Sequence, residues 1–163
     1  MKLYVNEKLF SMHKKFYVTD ENGFDIYEIS SKIISFGDKT TINDMTGNKI
    51  AYIEQELFHI TPTYNVYIND ELEFKITKKF QLFKNDYLLD NGYRVDGKFM
   101  MLDFVVYDDK DNQIGSINRK FLSIGDKYEI NIDDVNKKEI VLAIIVAITN
   151  DVNRSQNSNS STN

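Results

Sequence analysis

The stretch Glu139-Ile-Val-Leu-Ala-Ile-Ile-Val-Ala-Ile148 decides the fold. After Glu139 the next polar residue is Thr149. Nine consecutive apolar residues coiled as a helix would measure roughly 13 Å, against a hydrocarbon core of ~30 Å. No transmembrane span is therefore expected. What remains is a buried strand or a buried helix, and periodicity alone does not choose between them.

The bulk of the chain sets the frame for that choice. Its 163 residues are 42% hydrophobic and 13% aromatic, enough for one domain with a real core. A net charge of −5 argues against a general nucleic-acid binder, whose footprint would be basic. The absence of cysteine removes disulfides, thiolate catalysis and Cys-based metal sites together. The segment Met1-Lys-Leu-Tyr-Val-Asn-Glu7 has neither an apolar run nor a small-residue cleavage site, so a cytoplasmic home is expected.

Outward from the apolar run, the chain repeats itself. Lys8-Leu-Phe-Ser-Met-His-Lys-Lys-Phe-Tyr-Val18 matches Lys32-Ile-Ile-Ser-Phe-Gly-Asp-Lys-Thr-Thr-Ile42. Glu56 to Val66, Lys79 to Leu89 and Lys120 to Ile130 follow the same pattern, and Asp96 to Val106 is a degenerate copy. The shared features are often a leading Lys and then apolar residues at positions two and five. A polar turn follows, then usually an aromatic at nine and an apolar residue at eleven. Between copies, Asp20-Glu-Asn-Gly23, Asn43-Asp-Met-Thr-Gly-Asn48 and Asp108-Asp-Lys-Asp-Asn112 carry turn chemistry. Alternating runs such as Tyr128-Glu-Ile-Asn-Ile132 read as strands. Each period thus holds two strands and two turns, and six periods predict about twelve antiparallel strands. The pairs Ile26/Ile29, Ile50/Ile53 and Ile114/Ile117 break the alternation at equivalent places, which predicts a recurrent β-bulge.

A sheet of twelve strands has exposed edges unless it closes. A closed barrel of that size leaves a lumen wide enough for one helix, and that helix must be apolar on every side. Ile140 to Ile148 meets the requirement, with Lys137 and Lys138 at the entrance and Asn150 and Asp151 at the exit. Against this stand five Ile or Val among the eight residues Val141 to Ile148, which favour a strand by propensity. The expected fold class is mainly β: a closed antiparallel barrel of about twelve strands enclosing a hydrophobic C-terminal α-helix. The domain covers 1–152, with the helix near 138–150. The tail 153–163 has no apolar residue and is expected to be disordered.

The motif Lys8-Leu-Phe-Ser11, the turn at 20–23, the run Lys120-Phe-Leu-Ser-Ile-Gly-Asp-Lys-Tyr128 and the final Ile140-to-Thr149 segment together resemble the LURP-one-related family in its bacterial, YxjI-like form. That family belongs with tubby C-terminal domains and phospholipid scramblases. The resemblance covers roughly residues 1–150. It implies a twelve-stranded barrel around a C-terminal helix, which favours the helical reading of 138–150. It implies no activity, since bacterial members are of unknown function and fold does not carry function.

Candidate sites are few. His13 and His59 occupy unlike motif positions, so they are expected to be unrelated histidines rather than a metal or catalytic pair. Ser11, Ser35 and Ser123 recur at one motif position, which suits a strand-face residue better than a nucleophile. The Asp108–Asn112 loop lacks the glycine and terminal Glu of a calcium hand and reads as a solvated hairpin. No glycine-rich phosphate loop is present, so no cofactor, metal or catalytic residue is expected. The basic residues Lys8, Lys32, Lys78, Lys79, Arg119 and Lys120 cluster at motif starts and could form a partial ring on the barrel rim. The expectation is a non-enzymatic, monomeric cytoplasmic binding or interaction module for an unknown protein partner. The alternative is a binder of anionic phospholipid headgroups, peripheral to the membrane, that uses those six residues.

Overall fold

The computed structural model describes residues 1–6, 15–34, 37–81, 84–121 and 127–160. Lys8, Ser11, His13, Ser35 and Ser123 lie outside them. Twelve strands follow in order: β1 (Lys2–Asn6), β2 (Lys15–Thr19), β3 (Asp25–Ile34), β4 (Gly37–Asp44), β5 (Lys49–Gln55) and β6 (Thr63–Ile68), then β7 (Glu71–Gln81), β8 (Lys84–Leu89), β9 (Arg94–Lys98), β10 (Asp103–Tyr107), β11 (Gln113–Lys120) and β12 (Lys127–Ile132). Among the described residues one α-helix follows, α1 (Lys138–Ser160).

All the strands belong to one antiparallel sheet of order β8-β7-β6-β5-β4-β3-β2-β1-β12-β11-β10-β9. Apart from β8 and β9, every neighbour in sequence pairs, and β1 pairs with β12 from Lys2↔Asn131 to Asn6↔Lys127. That last pairing turns a meander into a nearly closed barrel. β8 and β9 lie at the two ends of the sheet order, with no ladder between them among the described residues. Aromatic side chains pack near that seam. Tyr87 meets Phe99 edge-on at 5.0 Å, and Phe99 meets Phe104 at 5.3 Å.

The bulges occur where the broken alternation predicts them. Val18 pairs with Tyr27 but Thr19 with Asp25, leaving Ile26 as the extra residue. The same shift leaves Ile50 extra between β4 and β5, and Ile114 extra between β10 and β11. A fourth, at Glu73 between β6 and β7, has no sequence signature of this kind. A bulge puts a second apolar residue toward the interior. Ile114 is buried, and Ile26 and Ile50 pack against the core.

The turns beside the bulges repeat atom for atom. Asp20 accepts the N–H groups of Asn22 and Phe24 at 2.8 and 2.9 Å. Asp44 accepts those of Thr46 and Asn48 at 2.9 Å each. Asp108 accepts those of Lys110 and Asn112 at 3.0 and 2.9 Å. The fourth residue of each turn is left-handed: Gly23, Gly47 and, in the last copy, Asp111 at φ 64°. The Asp108 loop is therefore a capped hairpin, further tied by Lys137 Nζ at 2.8 Å.

These bonds hold the three carboxyls below their ordinary range. The Thr46 hydroxyl leads in holding Asp44 at about 2, against an ordinary 3.8. The Phe24 N–H leads for Asp20, and Lys137 for Asp108. A depressed folded-state value contributes stability that is present above the ordinary value and lost as pH falls through the depressed one. Stability should therefore drop between about pH 4 and pH 2. The triple variant Asp20→Asn, Asp44→Asn, Asp108→Asn should show a shallower drop in urea midpoint over that window. Identical slopes would contradict the assignment.

α1 runs through the lumen from the turn end to the other end of the cylinder, here termed the loop end. Val141 to Ile148 are buried on all faces. Propensity is overruled because a helix satisfies its own backbone groups inside an apolar lumen, where a lone strand would leave them unpaired. Motif positions nine and eleven form the wall around it. Phe16, Thr40, Tyr64, Tyr87 and Tyr128 at position nine are all buried, as are Val18, Ile42, Val66, Leu89 and Ile130 at position eleven. The fit is close at Gly115, where an added methyl would overlap Val141.

The helix is longer than its composition suggests. It continues to Ser160, so 153–160 of the segment expected to be disordered is helical, while 161–163 lie outside the described residues. Polar contacts hold the extension where apolar burial does not. Arg154 reaches Asp38 at 3.0 Å, and Ser155 accepts from Lys78 at 3.0 Å. Even so, among the described residues no helix is long and apolar enough to cross a membrane.

Candidate functional site at the loop end of the barrel

The antiparallel meander sorts the connections into two sets. The Asp-capped turns lie at one end, and at the other lie the connections at 56–62 and 99–102 together with the ends of β1, β3, β7 and β11. All copies of the motif fall at this loop end, which is where α1 emerges.

The six candidate residues divide. Lys32 on β3, Lys79 on β7 and Lys120 on β11 lie near the loop-end termini of their strands, and all three are exposed. Lys120 also lies 3.4 Å from Glu129. Arg119 is exposed and stacks over Phe121 at 4.9 Å. Lys8 lies outside the described residues. Lys78 departs from its expected place, being only 4% exposed and turned into the barrel. Its Nζ donates to Asp151 Oδ2 at 2.7 Å and to Ser155 Oγ at 3.0 Å. Two tyrosines complete this cluster, Tyr64 donating to Asp151 Oδ1 at 2.9 Å and Tyr87 to Oδ2 at 2.7 Å. Burial first, and then the Asp151 charge, push both phenols far above their ordinary value, so they stay protonated and donate. The position of Lys78 is legible in the strand, because Phe74, Ile76 and Lys78 share one face. Grouping Lys78 with Lys79 at the motif start obscures that parity.

Between the emerging helix and the walls is a cavity of about 440 Å³. Met101, Phe121, Tyr128 and Val152 supply apolar surface, and Arg119 and Asp103 supply one charge of each sign. Arg119 and Tyr128 are direct partners across β11 and β12, which aims both at the mouth. Among the described residues Asp103 is the one carboxylate in the lining, so convergent carboxylates do not line this cavity. His59 pairs with Glu56 at 2.6 Å, and Lys75 holds the same Glu56 at 2.7 Å. Among the described residues no group of three metal-ligating side chains converges.

Composition does not reveal a further feature of this end. Phe58 is 100% exposed, Ile60 99%, Phe121 77% and Met101 63%. Ile60 holds motif position five and Phe121 position two, both apolar positions of the repeat.

The LURP-one-related family model matches residues 1–149, which span all twelve strands and the first half of the helix. The chain belongs to the LURP-one-related family. Among its relatives is the uncharacterized protein YxjI of Bacillus subtilis (strain 168), 24% identical over 153 residues and covering 93% of each chain. This LURP-one-related barrel also resembles the X-ray structure of a protein from Arabidopsis thaliana. That match has a TM-score of 0.60 and 19% identity, over 93% of this chain and 90% of the other. At that identity the likeness speaks for the fold alone.

Proposed function

We propose that this LURP-one-related chain is a non-enzymatic, monomeric binding module of the cytoplasm that meets its ligand at the loop end of the barrel. The observation that carries the reading is the filled lumen. With Val141 to Ile148 packed on every side, the lumen itself offers no room, and among the described residues the mouth cavity beside α1 offers a space to a ligand. Its volume falls in the range of small-molecule sites, ~300–1,000 Å³. An aromatic or aliphatic body would lie on Met101, Phe121 and Val152, with an anionic group toward Arg119. Anilinonaphthalene sulfonate has that chemistry and serves as a probe. Its fluorescence should rise and saturate at one site on the folded protein. Asn153→Trp, which fills the mouth, should abolish the saturable phase. A signal that never saturates, or that ignores the substitution, would overturn the reading.

A second reading, contact with anionic phospholipid headgroups, is favoured by where the loop-end lysines lie. Lys79 on β7, Lys32 on β3 and Lys120 on β11 are successively four strands apart around the ring of twelve. Cations spread in this way meet a plane better than a pocket. Each contributes on the order of 1 kcal/mol near an acidic membrane.

A further inference from the structure

We propose that the loop end inserts its apolar tips into the interfacial region of a bilayer containing acidic lipids. This rests on the headgroup reading and adds to it a mode of binding that charge alone would not produce. The tips are Phe58 and Ile60 on the β5–β6 connection, Met101 on the β9–β10 connection and Phe121 after β11.

Their placement argues for a flat partner. In the sheet order the β5–β6 connection and the β11–β12 connection are six strands apart in a ring of twelve, on opposite sides of the mouth. A groove on a protein partner would receive one tip; a plane receives both together. A plane that is apolar within and anionic at its face is a bilayer of acidic lipids. Lys32, Lys79 and Lys120 stand around the same rim and match that face. The carboxylates at this end are in part neutralised. Arg154 pairs with Asp38 and Lys75 with Glu56, while Asp103 is exposed and Asp86 stands across the ladder from Lys79. Among the described residues, the turns at the other end carry Glu21, Asp90, Asp109 and Asp133.

The backbone supplies a second observation. Phe58 is left-handed at φ 64° and Leu102, next to Met101, at φ 49°. Bulky residues rarely adopt that region, and strain held in place tends to mark functional loops. The Phe58 loop is braced from both sides, by the Glu56 N–H to the Thr63 carbonyl at 2.8 Å and by the Lys78 N–H to the Pro62 carbonyl at 2.9 Å. The bracing holds both apolar side chains out in water. The repeat gives every full copy of the motif an apolar residue at position five, and Ile60 is the copy the structure describes.

The chain contains no tryptophan, so Phe58→Trp introduces a single reporter at a fully exposed position. Full-length protein is mixed with phosphatidylcholine vesicles, with or without phosphatidylserine, at low and high salt. The expected result is co-sedimentation with the phosphatidylserine vesicles, together with a blue shift of the introduced indole's emission and its quenching by brominated acyl chains. Phe58→Ser with Ile60→Ser should weaken that binding at least about tenfold while leaving the melting temperature unchanged. Co-sedimentation that salt abolishes, with no emission shift, would overturn insertion and leave headgroup contact standing. No sedimentation with either vesicle would overturn both. Equal binding to neutral vesicles would overturn the requirement for acidic lipid.

Discussion

Ile144→Asp yields a chain that does not fold. Ile144 and its neighbour Ile145 lie mid-way along the buried stretch of α1, with no exposed surface on either. The substitution removes a buried branched side chain, worth about 2–5 kcal/mol by comparison with truncation to Ala. It also brings a carboxylate into a lumen where Ile144 and Ile145 are surrounded by apolar walls. An ionised group without a partner costs several kcal/mol more, or must take up a proton to remain. The sum is comparable to the ~5–15 kcal/mol that holds a typical domain together. The same holds for Ile145→Asp. Loss of the cooperative melting transition and of near-UV circular dichroism is the readout. A soluble variant that melts like wild type would mean that the helix does not fill the barrel.

Asp151→Leu should cost about 3–5 kcal/mol, the range for removing one partner of a buried ion pair. It leaves the Lys78 ammonium without its counter-ion, although Ser155 still accepts from it, and it leaves the Tyr64 and Tyr87 hydroxyls without this acceptor. Lys78→Met should cost less, because Asp151 keeps two tyrosine donors. The double variant should recover much of the loss, although not all, since the two hydroxyls remain stranded. Urea denaturation of the four proteins gives the coupling. A loss below about 1 kcal/mol in Asp151→Leu would remove this cluster from the account of what sets the depth of the helix.

Much of this arrangement is local, and local features are legible. The hairpin repeat, the Asp-capped turns and the doubled isoleucines at the bulges are all short-range consequences of backbone chemistry. The sequence also carries the case for a helix in the lumen, since Ile140 to Ile148 has no polar stripe and a barrel of about twelve strands has a lumen wide enough for one such helix. The fate of the helix C-terminus is harder to read. Asn153 to Ser160 looks like a solvated tail, because composition counts apolar burial and not the Arg154 and Ser155 contacts that a neighbouring wall supplies.

By itself the sequence determined the number of strands, three of their bulges, and the rod that occupies their hollow, because each follows from alternation, turn chemistry and the need to bury an all-apolar segment. Tertiary structure alone decided which repeated residues face inward at the mouth. It joined Asp151 to side chains 64, 73 and 87 positions away, and it left Phe58, Ile60 and Phe121 in water although each is a large apolar residue. The physical reason is that burial at the end of a barrel depends on what stands opposite, and closing the sheet over the helix is what sets that neighbour.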